Sequence, residues 1–211
     1  MATLTAVEVP SLVIESSWDT YERILSENPE RGGLRIAFDG KHLEFMVLST
    51  KHEEPNRTLA LIVEMLSEEL GPDIRRVGST TFRRRDKEAG FEPDSSYYVQ
   101  NLAAVEGFEE IDLTRHPAPD LTIEVEVSRT AIDRFGIFET IGIPELWTVR
   151  DRKVTIFLLR ENGYQTADRS VAFPAVTAAD LSWMLGESFE KRSRVWARET
   201  RQFIRSLGAK S

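Results

Sequence analysis

The sequence predicts a fold of mixed α and β structure, on three observations. Two apolar runs flank Asp39-Gly40, a dipeptide typical of two-residue hairpin turns. Apolar residues recur at helical spacing between Leu59 and Leu70, and apolar and polar residues alternate strictly after Pro119. A chain that combines a period near 3.6 with a period of two, without an internal repeat, is expected to pack helices on a β-sheet.

Length and composition limit the class of protein. The 211 residues, 41% of them hydrophobic, can bury a sizeable core, so we expect one domain over residues 1–211, with an N-terminal extension at 1–15 and a C-terminal helix at 189–211. The absence of cysteine excludes disulfides and thiolate metal sites and fits a cytoplasmic protein. Residues 1–10 lack a signal-peptide pattern, and no apolar stretch is long enough to cross a bilayer, so we expect no membrane partner.

The first predicted elements are a short helix, a hairpin and a long helix. The short helix covers residues 18–26, and the hairpin turns at Asp39-Gly40. Pro55 stands near the start of the long helix, which runs to about Leu70 because Gly71-Pro72 stops it. One stripe of this helix is expected to face the sheet: Leu59, Ile62, Val63, Leu66 and Leu70.

The middle of the chain is predicted to form strands. We expect one strand through Val77 and Phe82, a charged loop over residues 85–90, and a strand that begins at Asp94 and contains aromatic and β-branched residues. Residues 102–116 fit either a short helix or a loop.

The last third alternates strands and helices. After the strand that follows Pro119, we expect a helix over residues 130–142, with Gly142 as its cap. Strands at 145–149 and 153–159 follow, joined at Asp151-Arg152, with the next turn at Gly163-Tyr164. One helix begins near Thr177, and a final helix, which packs on the body or on a second copy, is expected to contain Phe189, Val195, Trp196, Phe203 and Ile204.

Acidic residues occupy a stretch that otherwise has the pattern of a buried strand. A period of two places an apolar set on one face and a polar set on the other; the polar set is Asp120, Thr122, Glu124 and Glu126. Bulk water could solvate this face. Alternatively, a cation could lie between the like charges.

A second acidic segment, Phe91-Glu92-Pro93-Asp94, favours the cation. If the strands that begin at Asp94 and Asp120 lie side by side, Asp94 can share one site with Glu124 and Glu126. Magnesium takes hard oxygen ligands, usually one or two carboxylates with water and substrate phosphate. Converging carboxylates therefore predict a magnesium (or manganese) site and phosphoryl chemistry.

Several segments occur in an order and spacing that together identify a family. They are Ser17-Trp18-Asp19-Thr20-Tyr21-Glu22, Asp39-Gly40-Lys41-His42-Leu43-Glu44-Phe45-Met46, His52-Glu53, Gly78-Ser79-Thr80-Thr81-Phe82-Arg83, Glu92-Pro93-Asp94, the Pro119 strand and Gly142-Ile143-Pro144-Glu145-Leu146-Trp147. Over most of its length the chain resembles the Uma-type family of proposed restriction endonucleases, a bacterial group in the PD-(D/E)XK superfamily. The resemblance implies a restriction-endonuclease-like core, a mixed central β-sheet flanked by helices, with an N-terminal hairpin and a C-terminal helix.

The same resemblance implies the metal ligands. Asp94 stands at the superfamily's Pro-Asp aspartate and Glu124 at its second acidic position, so both are expected to bind the metal and to be catalytic. The third position, a lysine in the superfamily, is Glu126 here. Glu126 lies on the same strand face as Glu124, so we expect it to add a ligand or to orient water.

Arg134 and Glu44 also match the family pattern. Relatives often carry the basic residue on the following helix, at the place of Arg134. Because arginine stays charged, its expected role is to stabilise a phosphate oxygen, not to act as a base; the alternative is a surface salt bridge with Asp133 or Glu139. Glu44 either completes the site or pairs across strands with a basic residue. His52 matches too, but a lone histidine there is more often a cap or a hydrogen-bonding residue.

The charge distribution leaves two interpretations open. A net charge of -8 argues against a large non-specific DNA footprint. Basic residues nevertheless form two clusters that could face phosphates, or could simply be a charged edge strand and a solvated helix face. The clusters are Arg75, Arg76, Arg83, Arg84, Arg85 and Lys87, and Lys191, Arg192, Arg194, Arg198, Arg201 and Arg205.

The predicted function is a magnesium-dependent endonuclease that hydrolyses DNA phosphodiester bonds, with a bound water as the nucleophile. The alternative is a nuclease fold that has lost its chemistry and serves as a nucleic-acid-binding or assembly module, which the substitution of the motif lysine by Glu126 favours. A homodimer formed through residues 183–196 is compatible with either function.

Overall fold

The computed structural model describes residues 11–29, 33–47, 50–125 and 132–209, which form eleven strands and five α-helices. The strands are β1 (Ser11–Glu15), β2 (Leu34–Phe38), β3 (His42–Val47), β4 (Arg75–Arg76), β5 (Phe82–Arg84), β6 (Ala89–Phe91), β7 (Ser95–Tyr98), β8 (Leu121–Val125), β9 (Glu145–Arg150), β10 (Lys153–Arg160) and β11 (Gly163–Ala167). The helices are α1 (Trp18–Glu27), α2 (Thr50–Leu70), α3 (Arg134–Ile141), α4 (Ala178–Glu190) and α5 (Ser193–Gly208).

The strands form two sheets. The order is β1-β3-β2-β6-β5 in the five-stranded sheet and β11-β10-β9-β8-β7-β4 in the six-stranded sheet. All neighbouring pairs are antiparallel except β8 and β9, which are parallel. A parallel pair needs a crossover connection, and α3 lies in the segment that joins β8 to β9. The predicted mixed α and β fold with a mixed sheet is confirmed.

The predicted hairpin is formed by β2 and β3. Gly40 has a φ of +95°, which glycine adopts without the steric penalty of a Cβ atom. The Asp39 carboxylate accepts hydrogen bonds from the backbone N–H groups of Lys41 (2.9 Å) and His42 (2.6 Å). The side chain thus closes the turn, a local effect that explains why the sequence signal was sufficient.

Three apolar clusters hold these elements together. In the largest, α2, α4 and α5 cover one face of the six-stranded sheet, and Trp147 is fully buried. The second surrounds Phe138 of α3 and includes β5 and β6, and the third joins Tyr21 of α1 to the hairpin. The final helix therefore packs on the body. No helix in the described ranges is both long and apolar enough to cross a bilayer.

The predicted strand through Val77 and Phe82 is wrong. The chain forms two short strands there, and they belong to different sheets: β4 pairs with β7, and β5 pairs with β6. A turn at Gly78-Ser79 separates them, with Gly78 at a φ of +52° and a hydrogen bond from Thr80 N–H to the Val77 carbonyl (3.1 Å). The segment is thus the passage between the sheets. The predicted charged loop over 85–90 likewise contains part of β6.

Two further boundaries differ from the prediction. Gly163-Tyr164 is not a turn but the start of β11, because the turn falls at residues 161–162. The helix expected to contain both Phe189 and Ile204 is two helices, since Lys191 is extended between α4 and α5. The Lys191 ammonium forms ion pairs with Glu187 on one helix and with Glu199 on the other, which braces the break.

Glu145 ties the six-stranded sheet to the loop before α4. It is buried at the start of β9, and its carboxylate accepts hydrogen bonds from the Trp147 indole N–H (2.6 Å) and from the backbone N–H groups of Val171 (2.8 Å) and Ala172 (2.9 Å). Both oxygens are therefore used by the fold, and this acid is structural.

Replacing Glu145 with alanine leaves two buried donors, the Trp147 indole N–H and the Ala172 N–H, and the part-buried Val171 N–H without an acceptor. We expect the free energy of unfolding to fall by about 3 kcal/mol or more, because each unsatisfied buried group costs about 1–3 kcal/mol. Urea denaturation measures the change. Glu161→Ala, in the exposed turn before β11, is the matched control and should stay within about 0.5 kcal/mol of the natural chain. Equal effects of the two substitutions would contradict the assignment.

Candidate functional site

Asp94 and Glu124 lie on neighbouring strands, as the predicted site requires. In the antiparallel register of β7 and β8, Ser95 pairs with Ile123, so the preceding residue Asp94 comes opposite Glu124. Side chains directly opposite each other in an antiparallel pair share one face of the sheet. Both carboxylates are buried. The structure thus brings the two acids together at the end of β8.

Helix α2 holds Asp94 in place. Asp94 Oδ2 accepts a hydrogen bond from the Val125 backbone N–H (2.9 Å) and lies 3.3 Å from His52 Nε2. The Asn56 side-chain amide donates to the Asp94 carbonyl (3.3 Å) and accepts from the Ser95 hydroxyl (2.8 Å). Because α2 begins at Thr50, His52 and Asn56 fall on its first two turns and reach the start of β7.

Arg134 joins the two sheets. Its Nη1 lies 2.8 Å from Glu124 Oε2 on β8, and its Nε lies 3.3 Å from Glu44 Oε2 on β3. All three side chains are at most 2% exposed. The surface pair with Asp133 or Glu139 considered from the sequence is therefore not formed. Asp133 instead caps α3 by accepting from the Gly136 backbone N–H (3.0 Å).

The cation that pairs with Glu44 is the Arg134 guanidinium, which comes from outside the five-stranded sheet. On β3 it lies opposite Ala37 of β2 and Val13 of β1, neither of which can pair with a carboxylate. A basic partner on an adjacent strand, the second interpretation of Glu44, is thus not what the structure shows. Glu44 belongs to the same buried network as Glu124 and Arg134.

Burial and mutual repulsion raise the pKa values of Asp94 and Glu124 in this network. Burial, together with the negative charge of Asp94, raises the pKa of Glu124 to about 8. Burial also raises the pKa of Asp94, against the opposing effect of His52. For Arg134, burial alone would lower the pKa, but Glu124, Glu44 and Asp94 outweigh it and raise it. More positive charge near Asp94 and Glu124 would stabilise their ionised forms.

The buried carboxylates are of two kinds. In one kind, both oxygens accept hydrogen bonds, as described for Glu145. Glu92 accepts from the Ile36 N–H and from the Thr81 hydroxyl. Asp120 accepts from the backbone N–H groups of Val99 and Asn101 and from the Asn101 side-chain amide. By contrast, Oε1 of Glu44 and Oε1 of Glu124 have no hydrogen-bond partner in the described part of the chain. A buried acceptor without a donor is costly, so these two oxygens need a donor or cation that the described residues do not supply.

The donor set around Glu124 fits magnesium or manganese. Among the described residues, no three or more His, Asp or Glu side chains are grouped so as to hold a metal ion. Asp94 and Glu124 nevertheless supply two carboxylates, one of them with an unpaired oxygen. Magnesium is usually bound by one or two carboxylates and completes its shell with water and phosphate, whereas structural zinc requires four protein ligands. Glu126 falls in the segment 126–131, outside the described residues, so its place stays a prediction.

Two residues near the site are absent from the predicted set of site residues. The sequence favours a cap or a hydrogen-bonding residue at His52, and the structure buries it inside α2, with Nε2 3.3 Å from Asp94 Oδ2. Burial raises the pKa values of Asp94 and Glu124, and the positive charge of Arg35 on β2 opposes that rise. The buried Nε of Arg35 has no hydrogen-bond partner in the described ranges. The available signal was a lone arginine between Leu34 and Ile36 in an apolar strand.

The family follows from the sequence match. A family described as "Uma2: Putative restriction endonuclease" matches residues 18–182, which is well over half of the chain. The chain belongs to the Uma2 family. The predicted resemblance is thereby confirmed, and the matched span of this Uma2 chain contains Glu44, Asp94, Glu124 and Arg134. Family membership supports a nuclease. The comparison with curated proteins gave no significant match.

One similar solved structure supports the fold. The Uma2 chain is similar to a protein from Anabaena variabilis ATCC 29413 described as "a putative nuclease belonging to DUF820". The TM-score is 0.53, the sequence identity is 17%, and the likeness covers 81% of this chain and 99% of that chain. At this identity the likeness shows the fold alone, and it agrees with the predicted restriction-endonuclease-like core.

The buried position of Arg134 predicts a large stability effect. We expect Arg134→Met to lower the free energy of unfolding by about 3–5 kcal/mol, because Glu44 and Glu124 would be left buried without their cation. Urea denaturation in EDTA measures it, and the exposed Arg150→Met is the control, with a cost of at most about 1 kcal/mol. Adding Glu44→Gln and Glu124→Gln should recover part of the loss. A cost no larger than that of Arg150→Met would contradict the buried network.

Proposed function

We propose that this Uma2 chain is a metal-dependent endonuclease that hydrolyses DNA phosphodiester bonds with magnesium or manganese. The observation that carries the proposal is the pair formed by Asp94 and Glu124: two buried carboxylates, opposite each other on adjacent strands, with Oε1 of Glu124 unpaired among the described residues. Elsewhere in the fold, buried acids such as Asp120 are fully hydrogen-bonded, so the open oxygen is not a general property of this core.

Each side chain has a distinct proposed role. When bound, the metal ion lowers the pKa of a water molecule and neutralises charge on the phosphate. Asp94 and Glu124 would hold it. His52 and the Val125 N–H orient Asp94 Oδ2, while Arg134 binds Oε2 of Glu124 and so leaves Oε1 available. A partner that fixes a ligand's orientation in this way tunes metal affinity.

The remaining residues of the proposed site adjust its charge. Arg134 shares its guanidinium with Glu44, so this acid limits the positive charge that Arg134 presents to a phosphate oxygen. Glu126 is proposed to add a ligand or to orient water. Arg134 cannot act as a base, because its guanidinium stays protonated, so its proposed role is to stabilise charge.

The substrate is held locally in this proposal, not through a broad basic surface. In the first basic cluster Arg76 pairs with Glu64, Arg83 with Glu22 and Arg84 with Asp86; in the second, Arg201 pairs with Glu68 and Arg205 with Glu69. These five cations pair with neighbouring acids, so they should contribute little to non-specific DNA affinity.

A second function, a nucleic-acid-binding or assembly module without catalysis, also has support. The described residues contain no group of three or more metal-binding side chains, and the motif lysine is replaced by Glu126. Calorimetry that detects no divalent ion binding would favour this second function. Gain of cleavage in Glu126→Lys, with none in the natural chain, would favour it too.

A cytoplasmic location and a homodimer through residues 183–196 also stay predictions. Size-exclusion chromatography tests the dimer.

The endonuclease predicts how site variants behave. Asp94→Asn and Glu124→Gln should abolish nicking of plasmid DNA in magnesium or manganese, because each removes a charged metal ligand. His52→Ala keeps both ligands and should cost only about 10- to 100-fold, as is usual for partners that orient a ligand. Rates are measured on a plasmid with and without EDTA.

Glu106→Gln, at an exposed position, is the control variant for this series and should cleave like the natural chain. Circular dichroism shows that each variant keeps its fold. Cleavage that survives in both Asp94→Asn and Glu124→Gln, or that is unaffected by EDTA, would remove the proposed metal site.

A further inference from the structure

A cavity of about 420 Å³ opens at the end of β8, where Val125 follows Glu124. It lies at the carboxyl ends of the parallel strands β8 and β9, where Val125 and Val149 form part of its wall, and it extends to Lys51, Arg152 and Phe189. A cavity of this size matches small-ligand sites. None of these lining residues is one of the two proposed metal ligands, Asp94 and Glu124.

The cavity and Asp94 share two structural elements. The Val125 side chain lines the cavity, while its backbone N–H donates to Asp94 Oδ2 (2.9 Å). On α2, Lys51 lines the cavity and its neighbour His52 contacts Asp94. A polymer bound across the end of β8 could therefore contact both.

The turn between β9 and β10 presents Arg152 in an unfavourable backbone conformation. Asp151 (φ +50°) and Arg152 (φ +63°) are both in the left-handed region, which hairpin turns of this kind usually fill with Asn-Gly. A non-glycine residue there carries a steric penalty, and such strain clusters at functional sites. The fold thus retains an arginine where glycine would be more stable.

The guanidinium of Arg152 lies over an aromatic ring. Its guanidinium carbon lies 4.2 Å from the centroid of the Phe189 ring, and its Nη1 lies 3.3 Å from Glu190 Oε1. The side chain is still 55% exposed, so the face of the guanidinium turned away from Phe189 is accessible. A guanidinium plane in this position can stack on a nucleobase.

We propose that this cavity is a nucleotide subsite that holds an unpaired nucleotide next to the bond to be cleaved. The base stacks on the outer face of Arg152, the apolar wall formed by Val125 and Val149 excludes water, and Lys51 meets the adjoining phosphate. Glu54 and Asp151 also line the cavity and balance its two cations, so stacking contributes more than net charge. A base paired in a duplex is not available to stack, so single-stranded DNA is the favoured substrate. The inference rests on the proposed nuclease function.

The strain in the turn allows a test that separates function from folding. Arg152→Gly removes the guanidinium and also relieves the strain, so it should weaken binding without lowering the Tm. Glu88→Gly relieves the same kind of strain (φ +47°) at an exposed position outside the cavity and keeps Arg152, which makes it the matched control. Binding of a fluorescent single-stranded oligonucleotide of about 12 nucleotides, within the range that single-strand binding domains cover, is measured by anisotropy in EDTA.

We expect Arg152→Gly to raise the Kd by about fivefold or more, the equivalent of losing one stacked base, and Glu88→Gly to leave it unchanged. An abasic strand of equal length should bind more weakly and should not respond to Arg152→Gly. The subsite is overturned if Arg152→Gly binds like the natural chain, if it weakens abasic and normal strands equally, or if the natural chain binds no strand at all.

The two proposals fail in different ways. Because binding is measured without metal, a Kd that responds to Arg152→Gly in a protein that never cleaves DNA would keep the subsite and remove the nuclease. Metal-dependent cleavage of single strands with unchanged KM and kcat in Arg152→Gly would keep the nuclease and remove the subsite.

Discussion

The guanidinium of Arg134, buried between two carboxylates, is the interaction on which the rest of this structure depends. It contacts Glu44 on the five-stranded sheet and Glu124 on the six-stranded sheet, and it comes from the helix that joins the two parallel strands. A charge removed from water must be paired, so the position of this one cation constrains both sheets. The same contacts leave Oε1 of Glu124 without a partner among the described residues, next to Asp94.

Buried acids in this fold differ in how many of their oxygens accept hydrogen bonds from the protein. In the segment Glu92-Pro93-Asp94, Glu92 accepts from Ile36 N–H and from the Thr81 hydroxyl and so ties strands together, whereas Asp94 faces another carboxylate. The two acids are two residues apart and equally hidden from water, but their chemistry differs. Burial alone therefore does not separate the acids that hold the fold together from those proposed to bind the metal.

The proposed chemistry and the proposed subsite meet at one end of the six-stranded sheet. Strand β8 places Glu124 toward the metal site and Val125 toward the cavity, because successive side chains point to opposite faces. Several arginines of the two basic clusters, Arg76, Arg84 and Arg205 among them, are paired with acids on the surface. Recognition in this arrangement comes from a few contacts at the strand end, which agrees with the acidic net charge.

The sequence by itself determined the features whose cause is local. The hairpin at Asp39-Gly40, the apolar stripe of α2 and the cap of α4 at Thr177 each depend on residues a few positions apart. The side-by-side placement of Asp94 and Glu124 was also predicted, with help from the family resemblance. Only the tertiary structure decided that Arg134 pairs with Glu44, 90 residues away, and that residues 77–82 pass between two sheets. The physical reason is that hydrophobic periodicity records which face of an element is buried, while the partner that it meets is set by packing across the whole chain.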